Sequence, residues 1–182
     1  NGDEFIWKQH SFARKSFLKA FKLKAPIQEW ADRGLFTIVD GPSIDPRLLI
    51  AKLEEWRNLY QIELVCADGF RMDLLKPLLE EAGFEYEFLR NPGAIQSKVA
   101  PIIEDGFANE RFIFEGDNSM IWYTDNTYVK EDKDGNKRFL KKEPVRRKTD
   151  GFHALIAALY KRELVQESNV GEFLDMLDSW DF

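Results

Sequence analysis

Short apolar runs alternate with amphipathic stretches through the first half of the chain. Leu35 to Val39 and Ile62 to Ala67 are rich in apolar and β-branched residues and predict strands, the second of them buried. Between these strands, apolar side chains recur at helical spacing: Leu48, Leu49, Leu53, Trp56 and Tyr60. A helix over Met72 to Ala82 and a strand over Tyr86 to Leu89 continue the alternation, which predicts an α/β sheet with parallel neighbours.

The second half of the chain contains two helical patterns and one turn signal. The residues from Ala94 to Asp105 predict a helix that Pro101 interrupts, and those from Asp150 to Leu164 predict an amphipathic helix. Thr127 to Leu140 is typical of a hairpin, because a run of Asp, Gly and Asn lies at its centre. We therefore expect one domain over residues 1–164 and an acidic C-terminal tail over residues 165–182.

The composition argues against several classes of protein. The 182 residues are 44% hydrophobic and include no apolar run long enough to span a membrane. The single cysteine, Cys66, rules out an internal disulfide. The chain has no glycine-rich loop of the kinds that bind nucleotide phosphates, and it lacks the ligand spacing of a zinc site. We therefore expect neither a nucleotide-hydrolysing motor nor a membrane protein.

The net charge of −6 hides two basic stretches. His10 to Lys24 contains five Lys or Arg residues and no acid, and Lys130 to Lys148 contains nine Lys or Arg residues against four acids. Separated charge of this kind can mark a surface that faces a polyanion. Ordinary solvated loops explain the same pattern equally well, so charge alone does not decide between them.

Two aspartates occupy positions at which chemistry is often found. Asp68 ends the apolar strand and precedes a glycine, and Asp150 opens the last helix directly after a basic run. If the two carboxylates meet, they form a site for a divalent cation, because hard cations prefer oxygen ligands. Each aspartate is also a good helix N-cap, so local sequence leaves both roles open. His153, one turn after Asp150, also has two possible roles: it is either structural or catalytic.

An ordered set of short motifs resembles one known family. The motifs run in this order: Cys66-Ala-Asp68-Gly-Phe-Arg71, Gly83-Phe84, Asn91-Pro92, Phe107-Ala-Asn109, Trp122-Tyr-Thr-Asp-Asn126, Asp134-Gly-Asn-Lys-Arg-Phe-Leu-Lys-Lys142 and Arg147-Lys-Thr-Asp-Gly-Phe-His-Ala154. Together they resemble the C-terminal nuclease domain of the large terminase subunit of tailed bacteriophages. The resemblance extends from about Phe5 to Leu164.

The resemblance implies a ribonuclease H-like fold, which is a mixed α/β sheet flanked by helices. It also implies a metal-dependent endonuclease that cuts concatemeric viral double-stranded DNA by two-metal phosphodiester hydrolysis. Asp68 and Asp150 match the second and the last metal-binding acids of the family, so both are expected to be catalytic and to hold Mg²⁺ or Mn²⁺. His153 is a third catalytic candidate beside them.

The resemblance further implies that basic residues of the hairpin, of the stretch after it and beside Asp68 contact DNA phosphates. These are Lys137, Arg138, Lys141, Lys142, Arg146, Arg147, Lys148 and Arg71. The implied partners are double-stranded DNA, the terminase ATPase domain with its ATP, the small terminase subunit and the portal. The implied location is the host cytoplasm during phage assembly.

The sequence departs from the family pattern at its beginning. The family's first metal-binding acid lies on a central first strand, before a hairpin into the segment that here begins at Glu4, and this sequence starts after that strand. Asp3 does not match the position of that acid. We therefore expect the chain to lack one metal ligand and the central strand, and to cleave DNA weakly or not at all in isolation.

A different class of function is also compatible with these residues. In a non-catalytic assembly module of a viral packaging machine, Asp68 and Asp150 would only cap helices. The acidic and aromatic tail would then dock onto a partner such as the portal ring. The two alternatives differ in whether the aspartates bind a metal.

Overall fold

The computed structural model describes residues 4–165. Its strands are β1 (Phe5–Ile6), β2 (Ser11–Arg14), β3 (Phe36–Val39), β4 (Val65–Asp68), β5 (Tyr86–Leu89), β6 (Phe112–Ile113), β7 (Thr127–Glu131) and β8 (Lys137–Lys141). Its helices are α1 (Lys15–Ala20), α2 (Ile27–Asp32), α3 (Arg47–Arg57), α4 (Met72–Glu81), α5 (Pro92–Ala108), α6 (Asn118–Asp125) and α7 (Asp150–Tyr160), and a 3-10 turn follows over Arg162–Leu164. Asp3 and nearly all of the expected acidic tail, residues 166–182, lie outside the described residues.

Each strand is hydrogen-bonded to a single neighbour within the described part of the chain. β1 runs parallel to β6, β2 parallel to β3, and β4 parallel to β5, whereas β7 and β8 are antiparallel. This pairing, with helices between the strands, confirms a mixed α/β fold. The parallel pairs do not join into one ladder among residues 4–165, so the sheet is divided. No helix in this part of the chain is long and apolar enough to cross a membrane.

The predicted hairpin forms from β7 and β8, and its turn is fixed by one side chain. Oδ1 of Asp132 accepts hydrogen bonds from the backbone N–H groups of Asp134, at 3.0 Å, and Asn136, at 2.9 Å. These bonds hold the pKa of Asp132 below its ordinary value. Gly135 takes the left-handed backbone conformation that the turn requires, with φ of +79°. The hairpin is anchored to α5, because the N–H of Phe139 donates to Oε1 of Gln96 at 2.9 Å.

The main core lies around α7. One face of this helix is buried and packs against α5 and α6, as the amphipathic pattern predicts. Phe152, Leu155, Ile156 and Leu159 are its buried apolar residues. A second, smaller core joins α3, α4 and β5 through Ile50, Leu53, Leu79 and Phe84. The fold therefore has two hydrophobic centres, with β4 and β5 beside the smaller one.

The expected interruption of α5 does not occur. The helix runs unbroken over Pro92–Ala108 with Pro101 inside it, and α4 likewise continues through Pro77. Proline removes one backbone hydrogen bond from a helix, so packing must offset the loss. In α5 that packing comes from Val99, Ala100 and Ile103, which are all buried.

The expectation that Ile62 to Ala67 forms a buried strand is wrong in its burial. Every residue of this run is half-buried, because β4 pairs with β5 on one side and with no strand on the other among residues 4–165. Cavities of about 530, 510 and 300 Å³ surround Ala154 of α7. Residues 9–12 at the start of β2 line the first cavity, and Cys66 of β4 lines the other two. Open space therefore separates β2 from β4 over the middle of α7.

Leu79 tests whether the smaller core holds its half of the fold together. We expect Leu79→Ala to lower the free energy of unfolding by about 2–5 kcal/mol, because this fully buried side chain leaves a cavity beside Phe84. Chemical denaturation measures the change. Leu59→Ala is the matched control, since Leu59 is mostly exposed and its removal should change the unfolding free energy by less than about 0.5 kcal/mol. Equal effects of the two changes would contradict the assignment of Leu79 to a packed core.

Candidate functional site

The structure brings Asp68, Asp150 and His153 to the wall of one cavity of about 510 Å³. Asp68 comes from the end of β4, and the other two come from the first turn of α7. The start of α5 closes the cavity through Pro92, Ile95 and Gln96. Asp68 therefore shares one site with two candidate catalytic residues that are far from it in the sequence.

Asp68 does not cap the helix that follows it. Its Oδ1 accepts a hydrogen bond from the backbone N–H of Phe70 at 2.9 Å, which closes a tight turn at the end of β4. Arg71 then occupies the N-cap position of α4 in a left-handed conformation, with φ of +60°. The carboxylate of Asp68 stays exposed beside the cavity.

Asp150 is the first residue of α7, and the N-cap position belongs to Thr149. A carboxylate in the first turn of a helix is stabilised by the positive end of the helix dipole. The next residue, Gly151, lets this end of α7 lie against α6, because a Cβ there would meet the ring of Tyr123 at 2.4 Å. Tyr123 is buried, which raises the pKa of its hydroxyl, and it is hydrogen-bonded to Ser11 at 3.0 Å. Asp150 is exposed, and it lies where α7 packs against α6 and α6 is hydrogen-bonded to β2.

A third aspartate shows what a capping carboxylate looks like in this fold. Asp117 is the N-cap of α6, and its Oδ1 accepts from the N–H groups of Ser119, at 2.8 Å, and Met120, at 3.2 Å. It is buried, whereas Asp68 and Asp150 are exposed. The capping role that the sequence allowed for those two residues is therefore not the role the geometry gives them.

His153 is oriented by the chain that precedes α7. Its Nδ1 lies 3.0 Å from the carbonyl oxygen of Thr149, so Nδ1–H donates to that oxygen. In the neutral ring, this tautomer leaves Nε2 as the acceptor. His153 is half-buried on the cavity wall, where it can accept or deliver a proton.

Asn126 was not singled out as a site residue by the sequence, yet it fixes the approach to Asp150. It is fully buried, and its Nδ2 donates to the carbonyl oxygen of Lys148 at 2.9 Å. Its Oδ1 accepts from Arg147 Nη1 at 3.1 Å, and its own carbonyl accepts from the N–H of Lys142 at 2.8 Å. Its mark in the sequence is its place at the end of the motif Trp122-Tyr-Thr-Asp-Asn126.

Among the predicted DNA-contacting residues, some are half-buried and contact other side chains, whereas others are exposed. Lys137 is paired with Glu104, which raises its pKa, and Arg147 is held by Asn126. Lys148 is half-buried, with Nζ 4.6 Å from the centre of the Phe17 ring. Lys141, Lys142 and Arg146 are exposed, and Arg71 lines the 530 Å³ cavity together with Asp150.

Arg138 reaches toward the cavity from the hairpin. Its guanidinium lies so close to Gly93 that a Cβ on that glycine would meet Nη1 at 1.7 Å. Gly93 follows Pro92, which lines the cavity of Asp68 and Asp150. Nη1 of Arg138 is buried and has no hydrogen-bond partner within the described residues. This cation is therefore one residue away from the wall of the candidate site.

The donor set fits a divalent cation in kind but is small in number. Asp68 and Asp150 supply carboxylate oxygens, which Mg²⁺ and Mn²⁺ prefer. Residues 4–165 contain no group of three or more His, Cys, Asp or Glu side chains that could hold a metal ion. Two carboxylates are fewer oxygen ligands than such a cation takes.

Two solved structures share this fold. The large terminase of bacteriophage HK97 is 18% identical, with a TM-score of 0.71 over 82% of this chain and 32% of that chain. The large terminase nuclease of the thermophilic phage G20c is 16% identical, with a TM-score of 0.52 over 68% of this chain and 64% of that one. The chain thus spans about a third of the HK97 protein and less than two thirds of the G20c nuclease. No family model and no curated protein matches.

These likenesses confirm the expected resemblance at the level of the fold. The chain has a mixed α/β fold like that of phage large terminases, including a terminase nuclease. At these identities the likeness does not carry over an activity. What the chain does must be argued from its own site.

Replacement of Asn126 tests whether its hydrogen bonds stabilise the segment before Asp150. We expect Asn126→Ala to lower the free energy of unfolding by about 1–3 kcal/mol, because Arg147 and the Lys148 carbonyl lose buried partners. Chemical denaturation measures it. Asn136→Ala in the exposed hairpin turn also removes an asparagine, but it should cost less because solvent replaces its contacts. A smaller loss at Asn126 than at Asn136 would show that the buried bonds do not stabilise this segment.

Proposed function

We propose that this chain is the nuclease domain of a phage packaging terminase and that it cuts concatemeric viral double-stranded DNA. One observation carries the proposal: two exposed aspartates, neither of which caps a helix, line the same cavity. The fold, like that of phage large terminases, supports the same conclusion. We assign the divided sheet to the ribonuclease H-like class on the strength of that likeness.

Asp68 and Asp150 are the residues proposed to hold Mg²⁺ or Mn²⁺, as two ions in the full protein. When bound, such ions supply Lewis-acid assistance to phosphodiester hydrolysis. The turn closed by Asp68 orients its carboxylate, and the dipole of α7 stabilises the negative charge of Asp150. His153 offers a ring nitrogen at the same wall for proton transfer.

We propose that a further segment completes the site, because Asp68 and Asp150 alone are fewer ligands than a divalent cation takes. The open space between β2 and β4 borders both the 510 Å³ cavity and Asp150, so a strand entering there would reach the site. We propose that such a strand supplies the missing acid in the full protein. The 182-residue chain should then bind metal weakly and cleave DNA weakly.

Exposed cations are proposed to hold the DNA. Lys141, Lys142 and Arg146 lie at and after the end of the hairpin, and Arg71 lines the 530 Å³ cavity together with Asp150. Contacts of this kind neutralise phosphates without reading the base sequence. The other proposed partners are the terminase ATPase domain, the small subunit and the portal, with assembly in the host cytoplasm.

A manganese titration of the 182-residue chain tests the metal site. We expect weak binding that Asp68→Asn or Asp150→Asn weakens on the order of tenfold or more, because each change removes a charged oxygen ligand. Asp73→Asn is the control, since Asp73 is an exposed acid in the first turn of α4 and does not line the cavity. Calorimetry measures binding, and nicking of supercoiled plasmid measures cleavage.

Two outcomes would count against the metal proposal. Equal manganese binding by the wild type and all three variants would favour the non-catalytic assembly module. Robust plasmid cleavage by the isolated chain, abolished by Asp68→Asn, would instead show that no further ligand is needed.

The salt dependence of DNA binding tests the role of the exposed lysines. We expect the affinity for duplex DNA to fall linearly on a log–log plot against salt, and Lys142→Ala to reduce the slope by about 0.9, the value of one phosphate contact. Fluorescence anisotropy measures the slope. Lys76→Ala on α4 should leave it unchanged, although Lys76 is equally a surface lysine. A slope that Lys142→Ala does not alter would remove this residue from the DNA surface.

A further inference from the structure

Phe70 is exposed to an unusual degree for an aromatic residue. Its side chain is 77% accessible, although phenylalanine is among the residues most often buried. It lies two residues after Asp68 and lines the same cavity as Asp68, Asp150 and His153. An exposed apolar ring therefore lies at the cavity that Asp68 and Asp150 line.

The backbone holds the ring in this position. The N–H of Phe70 donates to Oδ1 of Asp68 at 2.9 Å, which holds the backbone of Phe70 beside the carboxylate. Arg71 has a φ of +60°, which is uncommon for a residue other than glycine. The N–H of Leu74 donates to the carbonyl oxygen of Arg71 at 3.0 Å, so the first turn of α4 fixes the other end of the turn. The exposure of Phe70 thus follows from an ordered turn.

The residue after Phe70, Arg71, supplies a cation. The side chain of Arg71 is largely exposed, and its Nε is 4.0 Å from Asp73, too far for a hydrogen bond. Arg71 lines the adjoining cavity together with Asp150. Four consecutive residues therefore present a carboxylate, an aromatic ring and a guanidinium to the same region.

We propose that Phe70 is a base-contacting residue that stacks on a nucleobase near the phosphate to be cut, while Arg71 contacts the adjacent backbone. Nucleic acid is the ligand that presents flat π-faces and phosphates side by side, and aromatic rings stack on any base. In a fully paired duplex the base faces are covered by their neighbours, so the ring reaches a base only where the stack is opened. The inference rests on the proposed nuclease function and narrows its substrate to DNA with a locally unstacked base.

A binding comparison tests the proposal with the 182-residue chain in the presence of a chelator, which prevents cleavage. The probes are a short duplex and the same duplex with a central mismatched bubble that carries 2-aminopurine. We expect the bubble duplex to bind roughly tenfold more tightly, which corresponds to one aromatic–base stack. Binding should also lower the 2-aminopurine emission, because stacking quenches it.

Variants of Phe70 separate stacking from simple apolar contact. Phe70→Trp should keep the preference for the bubble and the loss of emission, whereas Phe70→Ala and Phe70→Leu should lose both, since neither has a ring. Each replaces an exposed side chain, so the fold should remain intact. Leu59→Ala is the control, since Leu59 is 68% exposed and lines none of the three cavities that Asp150 lines.

The possible results divide cleanly between the two proposals. Equal binding of both duplexes, or a preference that survives in Phe70→Leu, would overturn the role of Phe70 while leaving the nuclease proposal standing. Failure of the wild type to bind either duplex at low salt would overturn both. A preference that disappears in Phe70→Ala and Phe70→Leu and persists in Phe70→Trp and Leu59→Ala would support the stacking role.

Discussion

The packing of α7 into the main core is the constraint on which the candidate site depends. Its buried face is held by α5 and α6, and this packing determines where the first turn of the helix stands. Gly151 brings that turn against Tyr123, and Asn126 holds the residues immediately before it. The hydrophobic face of one helix thereby places Asp150 and His153 opposite the end of β4.

The second constraint is at β4, which pairs with no strand on one side among residues 4–165. A strand of Val, Cys and Ala gains most from burial when it has neighbours on both sides, yet here its residues stay half-buried. The open space beside it borders Asp68 at one end and Ala154 in the middle. Native proteins usually cover or shorten free strand edges, whereas cavities border this one.

The sequence predicted the parts of the fold that follow from local pattern, and less of what depends on neighbours. The helix at Asp150 and the hairpin around Asp132 form as expected, because helical periodicity and turn chemistry are local. The burial of β4 was wrong, since burial depends on a neighbouring strand that no local pattern can supply. The interruption at Pro101 was wrong for a related reason: tertiary packing outweighs the lost hydrogen bond.

The same distinction explains the candidate site. The sequence marked Asp68 and Asp150 but left capping and metal binding open, because a capping carboxylate and a ligand carboxylate occupy similar places before a helix. The structure shows which aspartate caps a helix: Asp117 is buried and accepts from two helix N–H groups, whereas Asp68 and Asp150 are exposed. Asp68 and Asp150 line one cavity, and the side chain of neither caps a helix. Helix capping therefore explains the placement of Asp117 but not the placement of these two carboxylates.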